Sequence, residues 1–167
     1  EISTRDWSSD VCSSDLLIKN ALLALGQKEF DLQQQFGEYV WVSMQLPVAD
    51  QGALLFQVAG QHDLFVCLSA IANQRLKGTE TEIYEILLGG WNNTKSAIRL
   101  KSMGKSVKEV TAKNSPAVVL DPQEYRTFWI SNNNGEIVVG RDEPGKPENI
   151  VMQWKDPYPI KGVRFIG

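Results

Sequence analysis

From residue 39 onward, apolar and polar positions fall into short runs separated by turn-forming residues. The runs are YVWVSMQL (39–46), ALLFQVAG (53–60), DLFVCLSA (63–70), EIYEILLGG (82–90), SAIRLK, SVKEVT, EYRTFWIS (124–131), GEIVVGR (135–141), NIVMQW (149–154) and GVRFIG (162–167). Each is about the length of one strand, and no long stretch keeps a helical period apart from the N-terminal leader. Repeated short strands at regular spacing predict an all-β chain, an antiparallel β-sandwich of jelly-roll-like form. The clearest hairpin joins FWIS to EIVVG through Asn132, Asn133, Asn134 and Gly135, residue types that tolerate the positive φ of tight reversals. Alternation sends Trp129 and Ile130 to opposite faces of that strand, and the larger ring is expected inward. Pro157 and Pro159 remove backbone donors, so the chain should leave the sheet after Trp154, and the Pro- and Gly-containing stretch 141–149 should be an exposed loop.

The N-terminal region departs from this pattern. Residues 6–16, DWSSDVCSSDL, resemble a translated sequencing adapter at all eleven positions, so residues 1–16 stand apart as an adapter-derived or doubtful segment. That removes Trp7 and Cys12 from functional argument, and the segment should make no native contacts. Residues 17–38 are expected to be a leader or short helix, with LLIKNALLALG (16–26) also readable as the tail of a signal peptide. Residues 39–167 form the sandwich domain.

Setting residues 1–16 aside also changes the charge balance, from 17 basic and 20 acidic residues to 16 of each. A neutral domain gives no electrostatic support to nucleic-acid binding, which needs clustered Lys and Arg. The group Lys95, Arg99, Lys101, Lys105 and Lys108 reads as a solvated face. No run approaches the length needed to span a bilayer. Cys67 is the one cysteine left, sits in an apolar run and reads as a small buried hydrophobe.

Three stretches in order carry a family resemblance: YEILLGGWNNTKSAIR (84–99), FWISNNNGEIVVGR (128–141) and MQWKDPYPIKGVRFIG (152–167). Together they resemble the farnesoic acid O-methyltransferase domain. Its pattern runs roughly Tyr-Glu-Ile-x-Ile-Gly-Gly-Trp-x-Asn-Thr-x-Ser, then Phe-Trp-Ile-Ser with a Val-Gly-Arg hairpin, then Trp-x-Asp-Pro and a closing Gly-Phe strand. The resemblance covers 63–167. It implies a sandwich whose closing strand runs on beyond Gly167, so the chain is expected to lack the last part of its sheet and to be a piece of a larger multi-domain protein, with extracellular placement favoured. The family name implies methyl transfer from S-adenosylmethionine to farnesoic acid. The residues point elsewhere, because a nucleotide-type donor is usually held by a glycine-rich strand-to-helix turn. No two of the thirteen glycines are separated by a single residue.

The most distinctive segment is Gly89-Gly90-Trp91-Asn92-Asn93-Thr94: two glycines permit a sharp turn, Trp91 offers a flat face, and the amides and hydroxyl offer donors and acceptors. This suits a polar ligand such as a sugar; it equally suits a turn in which Trp91 caps the core and the amides satisfy local backbone. Asn92-Asn93-Thr94 is also a glycosylation sequon, meaningful in a secreted protein. Arg99 and Arg141 end strands and could fork onto a carboxylate ligand or onto a neighbouring Asp or Glu. Trp41, Trp129 and Trp154 read as core. His62 is the single histidine and has no nucleophile marked beside it. Asp142, Glu143 and Glu148 lack an ordered calcium loop, and no metal site is expected. The sequence therefore predicts a non-enzymatic recognition domain, with no cofactor and no catalytic residue. Its ligand would be a carbohydrate, a small acid or a protein, held by Trp91, Asn92, Asn93, Thr94, Arg99 and Arg141. The alternatives are the named methyltransferase and a structural spacer.

Overall fold

The computed structural model describes residues 16–23, 26–32, 45–46, 48–72, 82–103, 105–113 and 120–167. Strands β1 (Leu16–Leu23), β2 (Gly26–Leu32), β3 (Gln51–Ala59), β8 (Arg126–Asn133), β9 (Glu136–Arg141) and β10 (Ile150–Lys155) form one sheet in the order β10-β9-β8-β3-β1-β2. The second sheet has the order β11-β4-β5-β6-β7, from β4 (Leu64–Ser69), β5 (Ile83–Gly89), β6 (Lys95–Ser102), β7 (Lys105–Lys113) and β11 (Phe165–Ile166). Every pairing between these strands is antiparallel, so the chain is the jelly-roll-like sandwich its alternation predicted.

Alternation places Leu54, Phe56 and Val58 of β3 on the inner face, where they meet Leu64, Val66 and Leu68 of β4 and Tyr84, Ile86 and Leu88 of β5 in one buried cluster. Phe56 and Phe128 stack at 6.1 Å, and Tyr84 meets the edge of Trp154 at 5.9 Å. Cys67 is buried on the other side of β4, where burial first and then Glu85 push its thiol well above its ordinary value, with Lys101 opposing.

Two expectations need correction. The short helix expected within 17–38 is replaced over Leu16–Leu23 and Gly26–Leu32 by β1 and β2, and Leu16, in the segment expected to make no native contacts, pairs with Leu32. A short apolar run is compatible with either element; here the free edge of β3 supplies backbone partners and the strand wins. Trp7 and Trp41 lie outside the described residues, as does most of the 39–46 run, whose Gln45 makes an isolated bridge to Phe165. Trp129 and Ile130 do occupy opposite faces, but Phe128 and Ile130 point inward and Trp129 points outward. The indole lies flat on Gly140, its cross-strand neighbour, so closely that a Cβ there would sit 2.2 Å from the ring. Trp129 is nevertheless only 6% exposed, so both faces of this sheet are covered at β8.

The connections gather at two ends. At the upper end the 60–63 loop, the turn after β5 and the segment before β8 are tied together. Gly60 N–H donates to Asp121 (2.9 Å) and Asp63 N–H to Gly89 (3.0 Å). At the lower end, Asp50 accepts backbone N–H bonds from Gly162 (2.9 Å) and Val163 (2.8 Å). The Tyr84 hydroxyl donates to buried Asp156 (2.9 Å) and accepts from the Ile160 amide (3.0 Å), which pins the proline-containing loop. Burial, with Asp156 adding to it, raises the Tyr84 phenol far above its usual range. The β8–β9 reversal at this end is a two-residue turn, with φ 50° at Asn134 and 83° at Gly135.

Candidate functional site

The turn between β5 and β6 is built by its glycines. Gly89 sits at φ 66°, and a Cβ there would meet Asn93 Oδ1 at 2.8 Å and Leu120 Cγ at 2.9 Å. A Cβ on Gly90 would meet Leu87 Cδ2 at 2.5 Å. The chain then makes a single helical turn over Gly90–Asn93 in which Trp91 (φ 52°), Asn92 (58°) and Asn93 (61°) are left-handed, closed by Thr94 N–H to Gly90 at 3.0 Å. A left-handed run is costly for L-residues, and it persists here because the surroundings hold it.

Asn93 is the lock. Its Nδ2 donates to the Leu120 carbonyl at 2.7 Å and its Oδ1 accepts the Leu120 amide at 2.8 Å, so one side chain satisfies both polar groups of a backbone unit. Thr94 Oγ1 donates to the Trp91 carbonyl at 2.7 Å, and Ser96 Oγ, buried, accepts the Gly89 amide at 3.1 Å. The two readings of the motif therefore divide along its length. Asn93 and Thr94 serve the turn, whereas Trp91 and Asn92 project to solvent, Trp91 at 43% exposure.

Trp91 lies along the outer face of β6. Lys95 Nζ is 5.2 Å and Arg99 Cζ 5.3 Å from its ring centroid, and Ala97, between them on the same face, is fully buried. Arg99 continues the network, with Nε donating to Glu109 at 2.6 Å and Nη1 to Glu85 at 3.2 Å. Glu85, 1% exposed, also accepts from Lys101 at 2.9 Å. Burial alone would weaken the Arg99 charge, but its bonds to Glu109 and Glu85 outweigh that and raise its pKa.

This corrects the solvated-face reading of the basic group: Arg99 and Lys101 neutralise a buried carboxylate, and Lys108 Nζ lies 5.3 Å from the Trp154 ring. The register Glu85↔Arg99 makes the pairing, and it joins residues fourteen apart in sequence. Arg141 is not brought to Trp91. It ends β9 in the other sheet, with Nε 3.5 Å from Asp142. His62 Nδ1 lies 2.8 Å from Asp63. Sequence reasoning missed Lys95 as a neighbour of Trp91 and Leu120 as the anchor of Asn93; the even spacing of Lys95, Ala97 and Arg99 was the available signal for the first.

Comparison with known proteins agrees with the motif resemblance and extends it. The family described as farnesoic acid O-methyl transferase matches residues 36–167. No curated protein matches the chain. Among solved structures, a prokaryotic beta-1,3-1,4-glucanase (lichenase) derived from a mouse hindgut metagenome is similar at 11% identity and a TM-score of 0.44; the likeness covers 90% of this chain, which spans 64% of the glucanase chain. With the family match extending over most of its length, including strands β3 to β11 and the Trp91 turn, the chain belongs to the farnesoic acid O-methyltransferase domain family.

Proposed function

We propose that this chain is a non-enzymatic ligand-recognition domain and that the Trp91 turn is its binding site. The observation that carries the reading is an exposed indole held in a left-handed conformation by a side-chain lock on Leu120. A flat aromatic face, the free amide of Asn92 and the ammonium of Lys95 on a rigid scaffold suit a ring-bearing polar ligand, of which a carbohydrate is the first choice and a small acid the second. Arg99 contributes by positioning the ring.

The methyl-transfer reading draws its support from the family description. The residues do not fit a nucleotide-type methyl donor: the strand pairings described here are all antiparallel, and the glycine-rich turn after β5 leads into another antiparallel strand rather than a helix beneath a parallel sheet.

A glycan array followed by calorimetric titration of the wild type, Trp91→Ala and Asn92→Ala tests the proposal. Loss of binding with an unchanged melting temperature is the expected result. Intact binding in both variants removes the site, and methyl transfer to farnesoic acid by the purified chain overturns the non-enzymatic reading.

A further inference from the structure

The second unusual surface lies at the opposite end. Eight large hydrophobic side chains are exposed among the described residues, and five of them, Val48, Ile71, Met103, Val107 and Tyr158, are more than half exposed. The topology brings all five to the lower end. Val48 precedes β3, Ile71 follows β4, Met103 and Val107 flank the start of β7, and Tyr158 lies in the loop after β10. Tyr158 is 87% and Met103 65% exposed.

Among the described residues, the charged rim at this end is mostly basic. Lys105, Lys155, Lys161 and Arg164 are exposed, against one exposed carboxylate, Glu82, among the described residues of this end. The other carboxylates here are engaged: Asp50 by the Gly162 and Val163 amides, Asp156 by Tyr84 and the Tyr158 amide, and Glu136 by Gln153. At the upper end the exposed charges reverse, with Glu124, Asp142, Glu143 and Glu148 against Lys146.

Backbone conformation singles out Met103 independently. Eight non-glycine residues take positive φ among those described, and six are Asp or Asn, which tolerate it. The two that do not are Trp91 and Met103 (both φ 52°). An apolar side chain presented to solvent at a position suited to Asn or Gly is retained at a cost in stability, and such strain concentrates where a side chain is used.

We propose that the lower end of the sandwich is a peripheral docking surface for an anionic lipid bilayer, with Met103, Val107 and Tyr158 entering the headgroup region and Lys105, Lys155, Lys161 and Arg164 meeting lipid phosphates and carboxylates. Met103 and Tyr158 come from separate turns at this end, and Val107 comes from the first residues of β7 beside the Met103 turn. They therefore project as tips into a soft, planar phase, whereas a protein partner is more often met by one continuous patch. Tyr, with its polar tip, and long cationic side chains match the depth at which headgroups meet acyl chains. This surface is independent of the Trp91 site.

The test is co-sedimentation of the full chain with phosphatidylcholine vesicles, with and without phosphatidylserine, over a range of salt. Binding that requires phosphatidylserine and weakens with salt is expected, and the pairs Met103→Asp with Tyr158→Asp, and Lys161→Glu with Arg164→Glu, should each lower it about tenfold or more. Circular dichroism confirms folding of each pair, and Asp at position 103 suits the left-handed backbone. Trp91→Ala should bind vesicles like the wild type. Absence of binding to either vesicle, or binding by both paired variants as tight as the wild type's, overturns the proposal. So does concentration-dependent self-association that the Met103→Asp, Tyr158→Asp pair abolishes, which would make this end a contact between two copies of the chain.

Discussion

At the upper end an indole is held in a left-handed turn by a lock to Leu120 and flanked by Lys95 and Arg99; at the lower end a methionine takes the same φ in a hairpin turn and stands free. Both ends keep a large apolar side chain where the backbone would be more comfortable with Asn or Gly. They differ in what surrounds it. Trp91 has a fixed orientation and defined polar neighbours, which is what selective recognition of a small ligand needs. Met103 shares its end with other exposed apolar side chains and exposed cations, which suits a partner without a fixed shape. The contrast teaches that one local device, a strained residue at a strand connection, serves different ends according to how much of the surrounding structure is committed to it.

The comparison rests on a sandwich middle that belongs to neither end, and the largest perturbation is aimed there. Trp129→Ala should destabilise the fold by about 3–5 kcal/mol, because the ring is almost fully buried and Gly140 beneath it cannot fill the space. Both surfaces should then fail together in the unfolded fraction while behaving normally in what remains folded. A melting temperature equal to the wild type would show that the outer face of β8 is not a packed layer.

Asn93→Ala comes next, and it separates the ends. Losing the lock leaves the amide and carbonyl of Leu120 without this partner, at a cost of about 2–4 kcal/mol in urea denaturation. Ligand binding at Trp91 should weaken, and vesicle binding of the folded protein should not change. A loss at both ends would mean that the two are coupled through the sheets.

Trp91→Ala should shift stability by no more than about 1 kcal/mol, since the lost cation–π contacts, each worth about 0.5–1 kcal/mol, are offset by removal of a bulky side chain from an exposed turn. A destabilisation several times larger would move Trp91 from recognition to core. Smallest of all, and opposite in sign, Met103→Asn should stabilise by about 0.5–1 kcal/mol through relief of the left-handed strain, and should weaken vesicle binding. Unchanged or lower stability would show that the methionine packs better than its exposure implies.

Strand runs, the sandwich and the Asn134-Gly135 reversal were legible from period-two alternation and from residues that accept positive φ, because both are local properties of the backbone. The Gly-Gly-Trp-Asn-Asn-Thr segment also declared itself, since two adjacent glycines permit a sharp turn that sets a tryptophan beside three polar side chains. What local pattern could not supply was partnership. Alternation separates Trp129 from Ile130 but is silent on which face is inner, and only the pairing of Trp129 with Gly140 across β8 and β9 gave the ring a flat seat outside. The row Lys95, Arg99 and Lys101 looked solvated until register set Arg99 opposite Glu85. Asn93 found its partner at Leu120, twenty-seven residues away, and Arg141, near in motif, went to the other sheet. The local pattern after residue 16 favoured a leader or short helix, and the open edge of β3 made it a strand pair instead. Chain-local geometry was determined by sequence; facing, pairing and the sorting of exposed charge between two ends were decided by tertiary structure, because burial and ion pairing depend on groups that sequence spacing does not relate.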